Sequence, residues 1–231
     1  MVLLRPKRLG MLIPSSNTVV EPQTAKLLPA DGSVTAHVSR IGVVTISADD
    51  ASLRQFERDS MLAAAWLLAD AEVDLILWNG TAAGWLGFER DIALTHVITA
   101  HTGIPATTAT MALNDALRRH GARRIGLVTP YVAELEARII QNYAMIGIEI
   151  TSAVRLNLTH NTDYAAIPPD EIAAMAHEVA REPVDAILIL CTNLAGATVA
   201  APLERQLGIP VLDSVRVAIE HSLGLLHKTG S

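Results

Sequence analysis

The stretch Arg8-Leu9-Gly10-Met11-Leu12-Ile13-Pro14 returns 116 residues later as Arg124-Ile125-Gly126-Leu127-Val128-Thr129-Pro130. Two further echoes follow in the same order. Val73-Asp74-Leu75-Ile76-Leu77-Trp78-Asn79-Gly80-Thr81 matches Val184-Asp185-Ala186-Ile187-Leu188-Ile189-Leu190-Cys191-Thr192 at an offset of 111. Thr102-Gly103-Ile104-Pro105 matches Leu207-Gly208-Ile209-Pro210 at 105. Any two α/β units share an apolar strand and a Gly-X-Pro turn, but three echoes in one order argue for two homologous halves.

Outward from these echoes, short apolar runs alternate with longer amphipathic ones. Residues 9–13, 34–38, 75–78, 125–128, 149–154 and 186–190 read as strands, and 51–71, 109–120, 132–145, 168–181 and 214–227 as helices. Pro168-Pro169-Asp170 supplies a helix start. Strand-helix alternation implies parallel sheets, which carry their ligands at the carboxyl ends of the strands. If the halves face each other, the loops after the third strand of each meet in one cleft, with Gly80 opposite Cys191.

Composition narrows the function. The 231 residues are 50% hydrophobic but only 3% aromatic, so the apolar content is Ala, Leu, Ile and Val, which suits helices packed on a buried sheet and favours α/β over a β-sandwich. A formal charge of -6 with 18 Lys and Arg offers no positive field to collect phosphates, so nucleic-acid binding is not expected. The sole cysteine, Cys191, leaves no internal disulfide and no thiolate zinc site, as expected of a cytoplasmic protein. Residues 1–14 are too short and interrupted for a signal-peptide core, and 186–203 are too polar for a membrane span. The eight histidines are scattered, with His96 and His101 off a one-turn metal spacing, so no metal is expected. The Gly80–Gly87 segment has neither a P-loop lysine nor a GxGxxG fingerprint, and no nucleotide cofactor is expected.

Four stretches carry a family resemblance: Gly10-Met11-Leu12-Ile13-Pro14-Ser15-Ser16-Asn17-Thr18-Val19-Val20-Glu21-Pro22, Asn79-Gly80-Thr81, Thr129-Pro130-Tyr131 and Leu190-Cys191-Thr192-Asn193. Together they resemble the aspartate/glutamate racemase superfamily, in its branch of maleate cis-trans isomerases and arylmalonate decarboxylases. The resemblance implies two flavodoxin-like parallel-sheet subdomains related by a pseudo-twofold axis, with a cofactor-free site between them. It also implies that the terminal helix returns to the first unit, giving residues 1–107 plus 215–231 and residues 108–214. A small dicarboxylate is the implied partner, and a homo-oligomer is compatible with the family. Most members place one cysteine on each wall of the cleft; this chain keeps Cys191 and has Gly80 at the other position.

That departure shapes the chemistry expected. Racemising a weak carbon acid beside a carboxylate requires a base on one face and an acid on the other, which one thiol cannot easily supply. Decarboxylation generates the carbanion by losing carbon dioxide and then needs one acid. The arylmalonate decarboxylase group likewise has glycine followed by threonine, as in Gly80-Thr81. The resemblance therefore implies cofactor-independent decarboxylation of a substituted malonate or similar dicarboxylate. Cys191 is the expected proton donor, since a free thiol with a pKa of about 8.5 is mostly protonated at neutral pH. Thr81, Tyr131 and backbone N–H groups around Ala82 and Thr192 are expected to stabilise the enediolate. Pro14, Ser15, Asn17, Gly80, Ala82, Asn161 and Thr192 are the expected substrate-binding set. Leu12, Val43, Val154 and Leu156 are expected to wall an apolar pocket for the departing carboxylate. A cysteine introduced at Gly80 is expected to add racemase activity.

Other features point elsewhere. Asn17, Tyr131 and Asn161 resemble the residues with which maleate isomerases grip a dicarboxylate, whereas the decarboxylase lacks the Asn17 equivalent and has serine where this chain has Ala82. A maleate isomerase, an Asp/Glu/hydantoin-type racemase and a non-catalytic dicarboxylate-binding protein remain the alternatives. Each residue also has a structural use: Cys191 as a small core residue, Asn17 as a helix cap, Tyr131 as a core phenol and Asn161 as a loop former. Trp78, Trp85 and Phe88 flank the Gly80 loop and are read as buried packing rather than as an aryl pocket.

Overall fold

The two halves of the chain each build a four-stranded sheet in which every pairing is parallel. The computed structural model describes residues 5–228; residues 1–4 and 229–231, the ends of the expected first unit, lie outside it. The first sheet comprises β1 (Lys7–Pro14), β2 (Val34–Ile41), β3 (Leu75–Trp78) and β4 (Ala106–Thr108), in the order β2-β1-β3-β4. The second comprises β5 (Arg124–Thr129), β6 (Glu149–Arg155), β7 (Ala186–Ile189) and β8 (Val211–Asp213), in the order β6-β5-β7-β8. Both follow the doubly wound pattern, whose strand order reverses beside the first strand and leaves a crevice there.

The repeat is carried into the register. Leu12 pairs with Trp78 and Val128 with Ile189, so repeat mates occupy matching places at the strand ends. The same holds for polar contacts. The Asp74 carboxylate accepts the Arg8 backbone N–H at 2.7 Å, as its mate Asp185 accepts that of Arg124 at 2.8 Å. Thr108 and Asp213, mates at the ends of β4 and β8, each cap the following helix by accepting backbone N–H groups. Gly10 and Gly126 are mates too: a Cβ at either would sit 2.8 or 2.7 Å from a valine methyl, of Val73 or Val179, so the absent side chain lets the covering layer approach each sheet.

Helices cover the sheets: α1 (Val20–Leu27), α2 (Asp50–Arg54), α3 (Arg58–Asp70), α4 (Ala83–Leu86), α5 (Phe88–Thr102), α6 (Ala109–Arg119), α7 (Ala133–Met145), α8 (Asn161–Ala165), α9 (Pro169–Val179), α10 (Ala197–Leu207) and α11 (Ser214–Lys228). The closing helix α11 packs against α6, α1 and β3. Several elements depart from the sequence expectation. The helix expected over 51–71 breaks into α2 and α3, because the Gln55 side chain accepts from Val44 N–H and donates to Thr45 C=O, tying the break to the loop before it. Strands β4 and β8 are three residues each, below the length at which alternation is readable. Helix α10 carries Pro202 inside it, and α5 is rich in threonine and histidine, so neither reads strongly as helix.

Candidate active site

The strand ends that face each other bring the expected residues together. Pro14 closes β1, Gly80-Thr81-Ala82 follow β3, Tyr131 follows β5, and Cys191-Thr192 follow β7. With Asn161 at the start of α8, these eight residues line one small cavity. Its volume is about 20 Å³, the room of a single water, whereas small-molecule sites hold roughly 300–1,000 Å³. Ile46 and Phe56, from the 42–57 connection between β2 and α3, are the apolar residues of that lining nearest in chain to a break between helices, and Trp85 supplies another wall.

Cys191 is buried, with the Asn193 backbone N–H donating to its sulfur at 3.4 Å. Burial pushes its thiol up to about 11, and the neighbouring Tyr131 hydroxyl and the backbone N–H groups of Asn193 and Leu194 offset only part of this. The group is an acid at neutral pH. The Tyr131 hydroxyl shares a hydrogen bond of 2.9 Å with Thr81 Oγ1, and burial, reinforced by Cys191, holds its proton far above the usual phenol range. Two protonated hydroxyls and a protonated thiol thus converge from opposite halves of the chain. Such a group of donors suits negative charge developing on a bound carboxylate. Trp85 packs edge-on to Tyr131, with ring centroids 4.7 Å apart, and Tyr164 packs on it at 5.8 Å, which fixes the phenol's direction.

A hydrogen-bond network locks the two halves around this point. Asn17 Oδ1 accepts the N–H groups of Val19 and Val20, and its Nδ2 donates to Thr192 Oγ1, which donates to the Asn79 carbonyl. Asn193 accepts from Thr18 N–H and donates to the Asn161 carbonyl, while Asn161 Nδ2 donates to Ser16 Oγ at 2.8 Å. Asn17 therefore caps the entry to α1 and braces the Cys191 loop, but it does not line the cavity. Ser15 is exposed and its hydroxyl is spent on the Val43 backbone, so it too stands outside the cavity.

The expected apolar wall is also displaced. Leu12 and Val43 are wholly buried in the core, and Val154 and Leu156 pack on its edge; none borders the cavity. The apolar residues that border it are Ile46 and Phe56, from the long β2–α3 connection, and Trp85. Of the three aromatics read as packing, Trp85 does face the cleft and Phe88 packs on Tyr143 at 5.1 Å. Trp78 occupies the space that a side chain at Gly80 would need: a Cβ there would stand 2.1 Å from Cζ2 of the indole. The room assumed for a cysteine at 80 is filled.

Two parallel-sheet halves that meet over a thiol, a phenol and a threonine hydroxyl define a member of the aspartate/glutamate racemase superfamily. Within it, residues 9–228 match the arylmalonate decarboxylase family, and the chain belongs to that family. It is 28% identical over 210 residues to the arylmalonate decarboxylase of Bordetella bronchiseptica, covering 89% of this chain and 85% of that one. It is 26% identical over 220 residues to the maleate isomerase of Geobacillus stearothermophilus, covering 90% and 86%. Among solved structures, the maleate isomerase Iso of Pseudomonas putida S16 superposes with a TM-score of 0.88 at 25% identity, over 96% of this chain and 93% of that one. A variant of the Nocardia farcinica maleate cis-trans isomerase with a covalently bound succinylcysteine intermediate superposes with a TM-score of 0.86 at 26% identity, over the same shares.

Proposed function

We propose that this protein decarboxylates a substituted malonate without a cofactor, through an enediolate protonated by Cys191. The observation that carries this reading is the asymmetry of the two walls: a buried, protonated thiol on one, and on the other a glycine whose side-chain space is filled by Trp78. One carboxylate would sit against Thr81, Tyr131 and the backbone N–H groups of Ala82 and Thr192. The other would face Ile46, Phe56 and Trp85, where poor solvation favours its departure as neutral carbon dioxide. The bond from the α-carbon to that carboxyl breaks, its electron pair enters the enediolate, and the Cys191 proton passes to the α-carbon. Water then returns a proton to the thiolate, which a value near 11 makes a ready acceptor. Asn17 acts by bracing Thr192, and Asn161 by presenting its amide at the cavity edge.

A maleate isomerase is the second reading, favoured by the likeness to several isomerases, one of them solved with a succinyl group on a cysteine. Addition to a double bond requires thiolate, and the burial of Cys191 works against that form. Proton NMR in deuterium oxide with phenylmalonate, methylphenylmalonate and maleate in parallel separates the two. Decarboxylation places one deuteron on the α-carbon of each product and leaves maleate intact. Fumarate from maleate with both malonates untouched would sink the proposal in favour of the isomerase.

A further inference from the structure

We infer that Trp78 is the residue that sets specificity on the wall opposite Cys191: its indole holds position 80 at glycine and so keeps any second acid or base out of the site. This rests on the decarboxylase reading for its meaning in turnover, while the packing claim stands on geometry alone.

A Cβ at Gly80 would lie 2.1, 2.4 and 2.9 Å from Cζ2, Cε2 and Cη2 of the indole, three atoms of one ring. Carbon atoms in contact prefer about 3.5–4.0 Å, so the overlap exceeds what a small adjustment relieves. Backbone conformation does not demand glycine there, because Gly80 is not among the residues with positive φ. Space alone demands it. The chain supplies its own control in the other half. The repeat mate of Trp78 is Ile189, the mate of Gly80 is Cys191, and with isoleucine two residues earlier a side chain is accommodated. The difference between a wall with a thiol and a wall without one therefore traces to the residue two positions before it.

Trp78 is 1% exposed, and its backbone in β3 is in register with Leu12 of β1 and Thr108 of β4. Trp78 also borders a cavity of about 360 Å³ lined by residues of α3, α4 and α5, among them Met61, Leu86 and Leu94. Replacing Trp78 with isoleucine removes the overlap at its source.

The test is a two-residue cycle with two readouts. In melting experiments, Gly80→Ala lowers the midpoint by roughly 5 °C in the wild-type background, as overpacking does, and by much less in the Trp78→Ile background. Equal losses in both backgrounds would overturn the packing claim, whether or not the protein decarboxylates anything. For turnover, 2-phenylpropionate is followed in deuterium oxide at pH 9. In Trp78→Ile/Gly80→Cys, one sulfur as thiolate takes the α-proton, the C–H electron pair enters the enediolate, and the other thiol returns a proton to the opposite face. Exchange at least tenfold faster in this double variant than in Gly80→Cys alone is expected. Comparable exchange in the single variant, or none in a folded double variant, overturns the specificity claim. Failure of the wild type on the malonates would instead count against the decarboxylase reading, and the melting cycle would still decide the contact.

Discussion

The acid form of Cys191 should persist far into alkaline solution. Burial holds the thiol at about 11, whereas an unperturbed one titrates at about 8.5. At pH 9.5 the buried group is about 97% protonated and an ordinary thiol about 9%, a roughly tenfold difference in available acid. The initial rate of carbon dioxide release from phenylmalonate is therefore expected to stay level from pH 7 to about 9.5, and then to fall. Alkylation by iodoacetamide reports the same proton, with a thiolate fraction at pH 8.5 of about 0.3% against half for a free thiol. Because the folded value is raised, Cys191 contributes stability that is full below about 8.5 and lost as pH rises towards 11, so circular dichroism must confirm folding across the range. A decline in rate centred near 8.5, with the protein folded, would refute the buried-acid argument.

Cys191→Ala is expected to abolish turnover while calorimetry still detects phenylmalonate binding; unchanged turnover would remove Cys191 as the proton donor. Thr81→Val deletes one donor and strips Tyr131 of its 2.9 Å partner, so kcat should fall by about 10²–10³ with KM little changed, and a rise confined to KM would argue for simple binding. Asp213 is wholly buried, with one oxygen accepting from Val215 and Arg216 and the other unpartnered, and burial pushes its carboxyl up to about 7. Its folded value lies above the unfolded one of about 3.9, so stability is lost as pH rises from about 4 through 7, by about 4 kcal/mol in all. Asp213→Asn should flatten the fall in melting temperature between pH 5 and 8, leaving the share of Asp91, which burial also raises to about 7. Identical pH slopes for variant and wild type would contradict this.

The fold was legible because the repeat and the hydrophobic runs are local signals. Strands β1, β3, β5 and β7, the central pairs of each sheet, are continuous apolar runs in the chain, and their ends carry the residues that meet in the cleft. The repeat and the strand-end rule alone set Gly80 opposite Cys191; Thr81 and Tyr131 entered through the family resemblance, and each lies just past the carboxyl end of a strand. What escaped was set by distant packing. Ile46 and Phe56 reach the cavity from the β2–α3 connection, and no periodicity marks that path. Ser15 and Asn17 belong to a motif that reads as a grip on substrate, yet their polar atoms turn to the Val43 backbone and to Thr192. The filled space at Gly80 was hidden for another reason: Trp78 is a strand residue in sequence, and only the direction of its ring sets it over the glycine two positions on.

The Trp78–Gly80 contact also constrains the history open to this chain. With the indole in place, every substitution that adds a side chain at 80 meets a wall, and with a side chain at 80 an incoming tryptophan at 78 meets the same wall from the other side. Glycine must come first when the pair is acquired and leave last when it is lost. An internal neighbour, as much as the chemistry itself, thus decides which catalytic groups a single mutation can place on that wall.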